Sequence, residues 1–272
     1  MKITALVENT STCGLPSEHG LSLHIQIQDG QSILFDMGQG VMFASNASIL
    51  GIDLGKVGLT VLSHGHYDHG GGLSTFLKIN DLAKIYVQRK AFEPHYSLRS
   101  SGLEYIGLDK SLEISNRLVF CDGTVTPSDS LTIFSNVCGE AFKPHGNRLL
   151  FGPSESSHDG FEHEQNLLIS ENGIAVLIAG CAHSGIVNII NTASELLGRA
   201  PDVVTGGMHL VKSGLSAIEE EQFISSLAHK LLEFEGTRYV TMHCTGEEQY
   251  LRLKEIMKDR IEYLSCGESV EI

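Results

Sequence analysis

The segment LTVLSHGHYDHGGG, residues 59–72, constrains this chain most: three histidines and an aspartate fall within six positions at the end of a short apolar run. Val57–Leu62 reads as a buried strand running into that cluster. His64 and His66 are two apart, so on an extended backbone they point the same way. Gly65 lets the chain bend between them, and Gly70–Gly72 let it fold tightly before the next helix. Asp68 and His69 follow a tyrosine and face a neighbouring point. Two imidazoles for one cation, with a carboxylate and an imidazole for a second, is the natural division. Such donors in a strand-end loop suit Zn²⁺ and, less exclusively, Mn²⁺ or Fe. Histidines that merely cap a helix do not arrive in this density.

The rest of the chain supplies a frame for the cluster. Apolar residues alternate from Leu21 to Ile27, Asp29-Gly30 offers a turn, and Ile33–Phe35 returns, which predicts a hairpin. A second hairpin is predicted around Glu171-Asn172-Gly173, between Leu167–Ser170 and Ile174–Ile178. Further strands are expected at the N-terminus and at Lys84–Gln88, Arg117–Cys121, Leu131–Ser135, Val203–Val204 and Arg238–Met242. Helical periods run through Met42–Leu50, Gly72–Ile79, Gly185–Leu197, Ala217–Phe234 and Glu247–Lys258. Hairpins dominate the first half and strand–helix alternation the second. The mixture predicts an α+β fold, a four-layer αββα sandwich of two mixed sheets face to face with helices outside, in one domain over 1–272. Residues 90–165 are the least regular stretch and read as an insertion that shapes a pocket. The C-terminal segment IEYLSCGESVEI is compatible with completing a sheet or meeting a partner chain.

Composition narrows the function. The 272 residues carry 19 Lys+Arg against 33 Asp+Glu, a formal charge of −14, which leaves little for the basic surface that nucleic acid demands. Six cysteines without a C-x-x-C pair suit free thiols in a reducing compartment. The N-terminal apolar run is too short for a signal peptide, and no segment approaches the length that spans a bilayer. The expectation is a cytoplasmic protein acting on a small molecule, with neither nucleic acid nor membrane as partner.

SHGHYDHGGG resembles the H-x-H-x-D-H signature of the metallo-β-lactamase superfamily, placed as there after a buried strand. ILFDMGQG resembles the superfamily's strand ending in Asp-x-Gly, which makes Asp36 a support held behind the metal loop. EHGLSLHI, GCAHSGIVNII, TGGMHL and TMHCTG extend the resemblance over nearly the whole chain. They are similar to one subgroup of metal-dependent hydrolases, which includes the dihydropterin aminobenzene-phosphate synthases of methanopterin biosynthesis. His243 in TMHCTG matches the superfamily's last histidine. His183 in AGCAHSG follows a strongly apolar strand and precedes a helix, where side chains reach into a site. The alternative for both is a buried, hydrogen-bonded histidine. The superfamily usually has a bridging aspartate where this chain has Cys181, which reads either as a thiolate ligand or as a small buried residue under the site. His209, after two glycines that allow a ligand close, reads as a metal ligand or, in preference, a substrate contact, and His19 as pocket wall or support, with plain loop structure as an equal alternative. His145, His158 and His163 are candidates for one further histidine by position only, whereas His24, His95 and His229 carry no spacing argument.

The resemblance implies an enzyme, a hydrolase or related transferase with a dinuclear site. His64, His66 and His183 hold one zinc ion; Asp68, His69 and His243 hold the other. Asp68 also orients the attacking water, which the metal supplies as bound hydroxide. The substrate implied is small and phosphorylated or ester-like, with a pterin-type phosphate as one specific form. The rival is a non-hydrolytic metal-binding, redox or sensor protein on the same fold. Against a redox role, the superfamily's oxygen-reducing di-iron members carry a glutamate where this chain has His66, together with a flavin domain.

Overall fold

The alternation that begins at Leu21 becomes the strand Ser22–Gln26, paired antiparallel with Ser32–Phe35 so that Ile25 lies opposite Ile33. The computed structural model describes residues 1–28 and 30–272, so the Asp29 half of the expected turn lies outside the described residues. The chain forms two compact units. The first comprises Met1–Gly123, Leu150–Gln165 and Leu264–Ile272, and the second Thr124–Leu149 and Asn166–Tyr263.

In the first unit a seven-stranded sheet runs in the order Ser269–Glu271, Lys2–Val7, Ser22–Gln26, Ser32–Phe35, Leu59–Val61, Lys84–Gln88, Leu118–Cys121. The strands up to Ser32–Phe35 pair antiparallel. From there to Leu118–Cys121 they pair parallel, so each needs a crossover. Helices Met42–Ile49 and Leu73–Ile79 lie on two of them. Leu59–Val61 is buried along its whole length, as the apolar run before the histidines requires. Phe43, Leu62, Phe76, Ile85 and Val87 form the centre of this core, each apolar side chain contributing roughly 1.5–3 kcal/mol by its burial. The C-terminal segment completes this sheet, with Ser269–Glu271 on Lys2–Thr4.

The second unit holds another seven-stranded sheet, ordered Ile261–Tyr263, Arg238–Thr241, Val203–Gly206, Ile174–Ile178, Gln165–Glu171 (in this unit from Asn166 onward), Leu131–Ser135, Thr124–Ser128. Its first four strands are parallel, connected through helices Ile186–Leu197, Ala217–Leu232 and Glu247–Met257. Ala217–Leu232 starts where the sequence allows a start: Ser216 and Glu219 close a capping box, satisfying amides the first turn leaves open. Leu177, Ile189, Ile190, Leu227, Leu231 and Tyr239 pack in its core.

The α+β reading therefore holds, as two large mixed sheets with helices. The stretch expected to be irregular is more ordered than its composition suggests. Tyr96–Arg99, Gly102–Tyr105 and Leu150–Phe151 make a small three-stranded sheet, and residues 124–149 belong to the second unit. Among the described residues no helix is long and apolar enough to cross a membrane.

Candidate functional site

The first unit's donors begin where its buried strand runs out. Beyond Leu59–Val61, the Leu62 amide still bonds Tyr86 O. His66 remains extended and caps a single helical turn, Tyr67–Gly70. His66 thus stands on extended chain and His64 in the bend before it, whereas Asp68 and His69 sit on the turn. All four are buried, at 0%, 5%, 8% and 0% exposure. The His64 ring centroid lies 4.5 Å from that of His66 and 4.1 Å from that of His69.

Asp36, at the end of Ser32–Phe35 with a left-handed φ of 60°, organises this cluster from behind. Its carboxylate accepts the Ser63 amide and the Ser63 hydroxyl, both at 2.7 Å, and His69 Nδ1 at 2.6 Å. The Ser63 hydroxyl, having donated to Asp36, accepts from His64 Nδ1 at 2.8 Å. Both rings therefore carry their proton on Nδ1, the tautomer that turns Nε2 toward a metal. His19 Nε2 lies 3.1 Å from Asp68 Oδ2. Burial first, and His163 second, push the pKa of His66 well below its ordinary value, so this imidazole is neutral, as ligation requires.

Two further groups hold the loop, and sequence reasoning missed both roles. The Gly65 amide donates to His163 Nδ1 at 2.9 Å; His163 Nε2 in turn donates to Asp159 at 3.2 Å, and His95 Nδ1 donates to the same carboxylate at 2.9 Å. With both nitrogens engaged in this way, His163 positions the loop. His158 instead packs its ring on Phe151, and His145 on Phe223. Gln165 donates to Leu62 O and Tyr86 O, at 2.9 Å each, tying the ends of two parallel strands. The EHEQ stretch before a strand was the available signal, although no spacing rule assigns it.

Gly65 is glycine for space rather than flexibility: a Cβ there would collide with Ala91 O and come within 2.8 Å of His95 Nε2. The glycines before His209 have a similar cause. A Cβ on Gly206 would strike Ala179 O, and one on Gly207 the Cys244 sulfur. In the direction of those Cβ positions the room is taken by the protein itself.

The second unit gathers its own donors, again beyond strand ends. Cys181 and His183 follow Ile174–Ile178, His209 follows Val203–Gly206, and His243 and Cys244 follow Arg238–Thr241. Asn147 grips His183 twice: its Oδ1 accepts from Nδ1 at 2.9 Å and its Nδ2 donates to the backbone oxygen at 2.8 Å. The rings of His183 and His209 are 4.4 Å apart. Donor atoms of Cys181, His183 and His209 lie within 4.8 Å of one another, as do those of Cys181, His243 and Cys244. The His209 amide donates to Cys244 Sγ at 3.2 Å. Burial alone would raise the Cys244 thiol, but contacts with Cys181 and then His209 outweigh it and bring the pKa down to about 5. Ala182, His209 and His243 all hold positive φ, 55°, 46° and 54°. For residues with a side chain this conformation is costly and persists only where the surroundings impose it.

Each unit thus carries buried imidazoles together with ionisable oxygen or sulfur, a donor set that fits a divalent metal. The chain belongs to the metallo-β-lactamase superfamily, an enzyme superfamily whose family model matches residues 19–190. Within it, the chain is 25% identical over 300 residues to the 7,8-dihydropterin-6-methyl-4-(β-D-ribofuranosyl)-aminobenzene-5′-phosphate synthase of Methanocaldococcus jannaschii, covering 100% of this chain and 96% of that one. An uncharacterized protein of the same organism is 29% identical over 263 residues, covering 93% and 94%. Among solved structures, a metal-dependent hydrolase of the β-lactamase superfamily superposes with a TM-score of 0.82 at 29% identity, covering 100% and 99%.

Proposed function

We propose that this protein is a metal-dependent hydrolase, or a transferase using the same chemistry, acting on a small phosphorylated or ester-like molecule. The observation that carries the reading is the loop His64–His69, where three buried imidazoles and a carboxylate are crowded together and oriented by Asp36 and Ser63. The metal donors are His64, His66, Asp68 and His69 of the first unit and His183 and His243 of the second, with two Zn²⁺ ions as the complement and Mn²⁺ or Fe compatible with the same atoms. When bound, such ions lower the pKa of water from about 15.7 toward about 7 and stabilise charge developing on the substrate. Asp68, with His19 beside it, orients the attacking water, and His209 contacts substrate. The synthase among the relatives supports an aromatic phosphate of the pterin type, and the hydrolase among the solved structures supports the reaction class.

The test is a panel of phosphomonoesters, phosphodiesters, lactones and thioesters, offered to metal-loaded protein and to His66→Ala. Turnover of one class that requires metal and is lost in the variant is expected. Turnover unchanged in His66→Ala, or none on any class with metal bound, would overturn the reading.

A further inference from the structure

The proposed hydrolytic reading assigns no role to Cys244 and draws only imidazoles from the second unit. Cys244 is 2% exposed and Cys181 3%, and their sulfurs share a cluster with a donor nitrogen of His243, all within 4.8 Å. A tetrahedral ion bound to two sulfurs and an imidazole needs donor separations of about 3.4–3.8 Å. The cluster is thus within a small adjustment of that arrangement.

The surroundings are built around these sulfurs. Gly207 leaves the space that Cys244 Sγ fills, since any Cβ at that position would overlap it. The His209 amide points its hydrogen at the same sulfur, an arrangement that stabilises a thiolate. Ala182 and His243, each next in sequence to one of the cysteines, are held in left-handed conformations, and both cysteines are free of disulfide.

We propose that Cys181 and Cys244, together with His243, form a thiolate site within the second unit that binds a thiophilic divalent ion, Zn²⁺ in the first instance. Cys181 also belongs to the set with His183 and His209, so its sulfur is the one donor common to both groups of second-unit ligands. Two sulfurs bias the site toward Zn²⁺ or Fe²⁺ and against Mg²⁺, Ca²⁺ or Mn²⁺, which prefer oxygen. The inference deepens the reading above, on which His243 is a ligand, but does not depend on hydrolysis.

The test is spectroscopic and needs no substrate. Full-length protein loaded with Co²⁺ is expected to show a near-ultraviolet thiolate-to-cobalt charge-transfer band. The band should weaken in Cys181→Ser and in Cys244→Ser, vanish in the double variant, and persist in His66→Ala. Cadmium-113 NMR of the unsubstituted protein reads sulfur ligation directly, so a variant that fails to fold does not leave the question open. A sulfur-shifted cadmium resonance is the expected result. Bound cobalt without the band, or cadmium resonances only in the nitrogen and oxygen range, would overturn the proposal. Sulfur ligation without turnover of any substrate would overturn hydrolysis and leave the thiolate site standing; turnover without sulfur ligation would do the reverse.

Discussion

His163 accepts the amide hydrogen of Gly65 at 2.9 Å, tying the peptide between His64 and His66 to a side chain 98 positions further along. His163→Ala leaves that buried amide without its acceptor, at a cost of about 1–3 kcal/mol, and loosens the spacing of the two flanking imidazoles. Urea unfolding should show the loss of stability, and elemental analysis after dialysis a lower metal content. Unchanged metal retention would show that the loop holds its geometry without His163.

Asp159 gives this support a pH dependence. Burial raises its pKa, but hydrogen bonds from His163 and His95 outweigh that and hold it below the ordinary carboxylate range. A carboxyl depressed on folding stabilises the protein above its unfolded value, about 3.9, and loses that contribution as pH falls toward the folded value. The stability gap between the wild type and Asp159→Asn should be largest near neutrality and shrink below about pH 4. Urea unfolding across that range checks it; a gap constant with pH counts against the ionised pairing.

Asp36→Asn keeps the shape of a fully buried side chain but replaces one acceptor oxygen by a donor amide, where Ser63 and His69 Nδ1 already bring hydrogens. Metal affinity should fall about 10–100-fold, the usual cost of losing the group behind a ligating imidazole. Competition with a chromophoric chelator measures it. An affinity equal to wild type would mean His69 is not oriented from behind.

Space at Gly65 can be tested against an internal control. Gly65→Ala drives a methyl into Ala91 and His95 and should cost about 1–3 kcal/mol. Gly40→Ala meets nothing within 4 Å and requires no left-handed backbone, so it should stay within about 0.5 kcal/mol of wild type. Thermal melts of the two variants side by side decide whether packing, and not chain flexibility, selects glycine in the histidine loop.

These cases show what was legible in the sequence. Hydrophobic period and turn residues located the strand Ile174–Ile178 to the residue and the helices Met42–Ile49 and Ala217–Leu232 to within two positions. Those signals are local, and the core reinforces them. Strands such as Tyr96–Arg99 and Thr124–Ser128 escaped because they are short and largely exposed, so no apolar alternation marks them. The dense donor cluster at His64–His69 was readable for its residue types alone. What holds it was not, because His163, Asp159 and Gln165 act through a few side-chain contacts that mostly join residues far apart in sequence and leave no periodic trace.

The return of Leu150–Gln165 to the first unit also sets a timetable. A ribosome adding about 5–20 residues per second makes Gly65 on the order of 5–20 s before it makes His163, the partner 98 residues later. Gln165, which fastens Leu62 from 103 residues away, comes later still. In that interval the histidine loop exists without its clasp. The loop and its clasp are thus made at different times, a consequence of the 98 residues that separate Gly65 from His163.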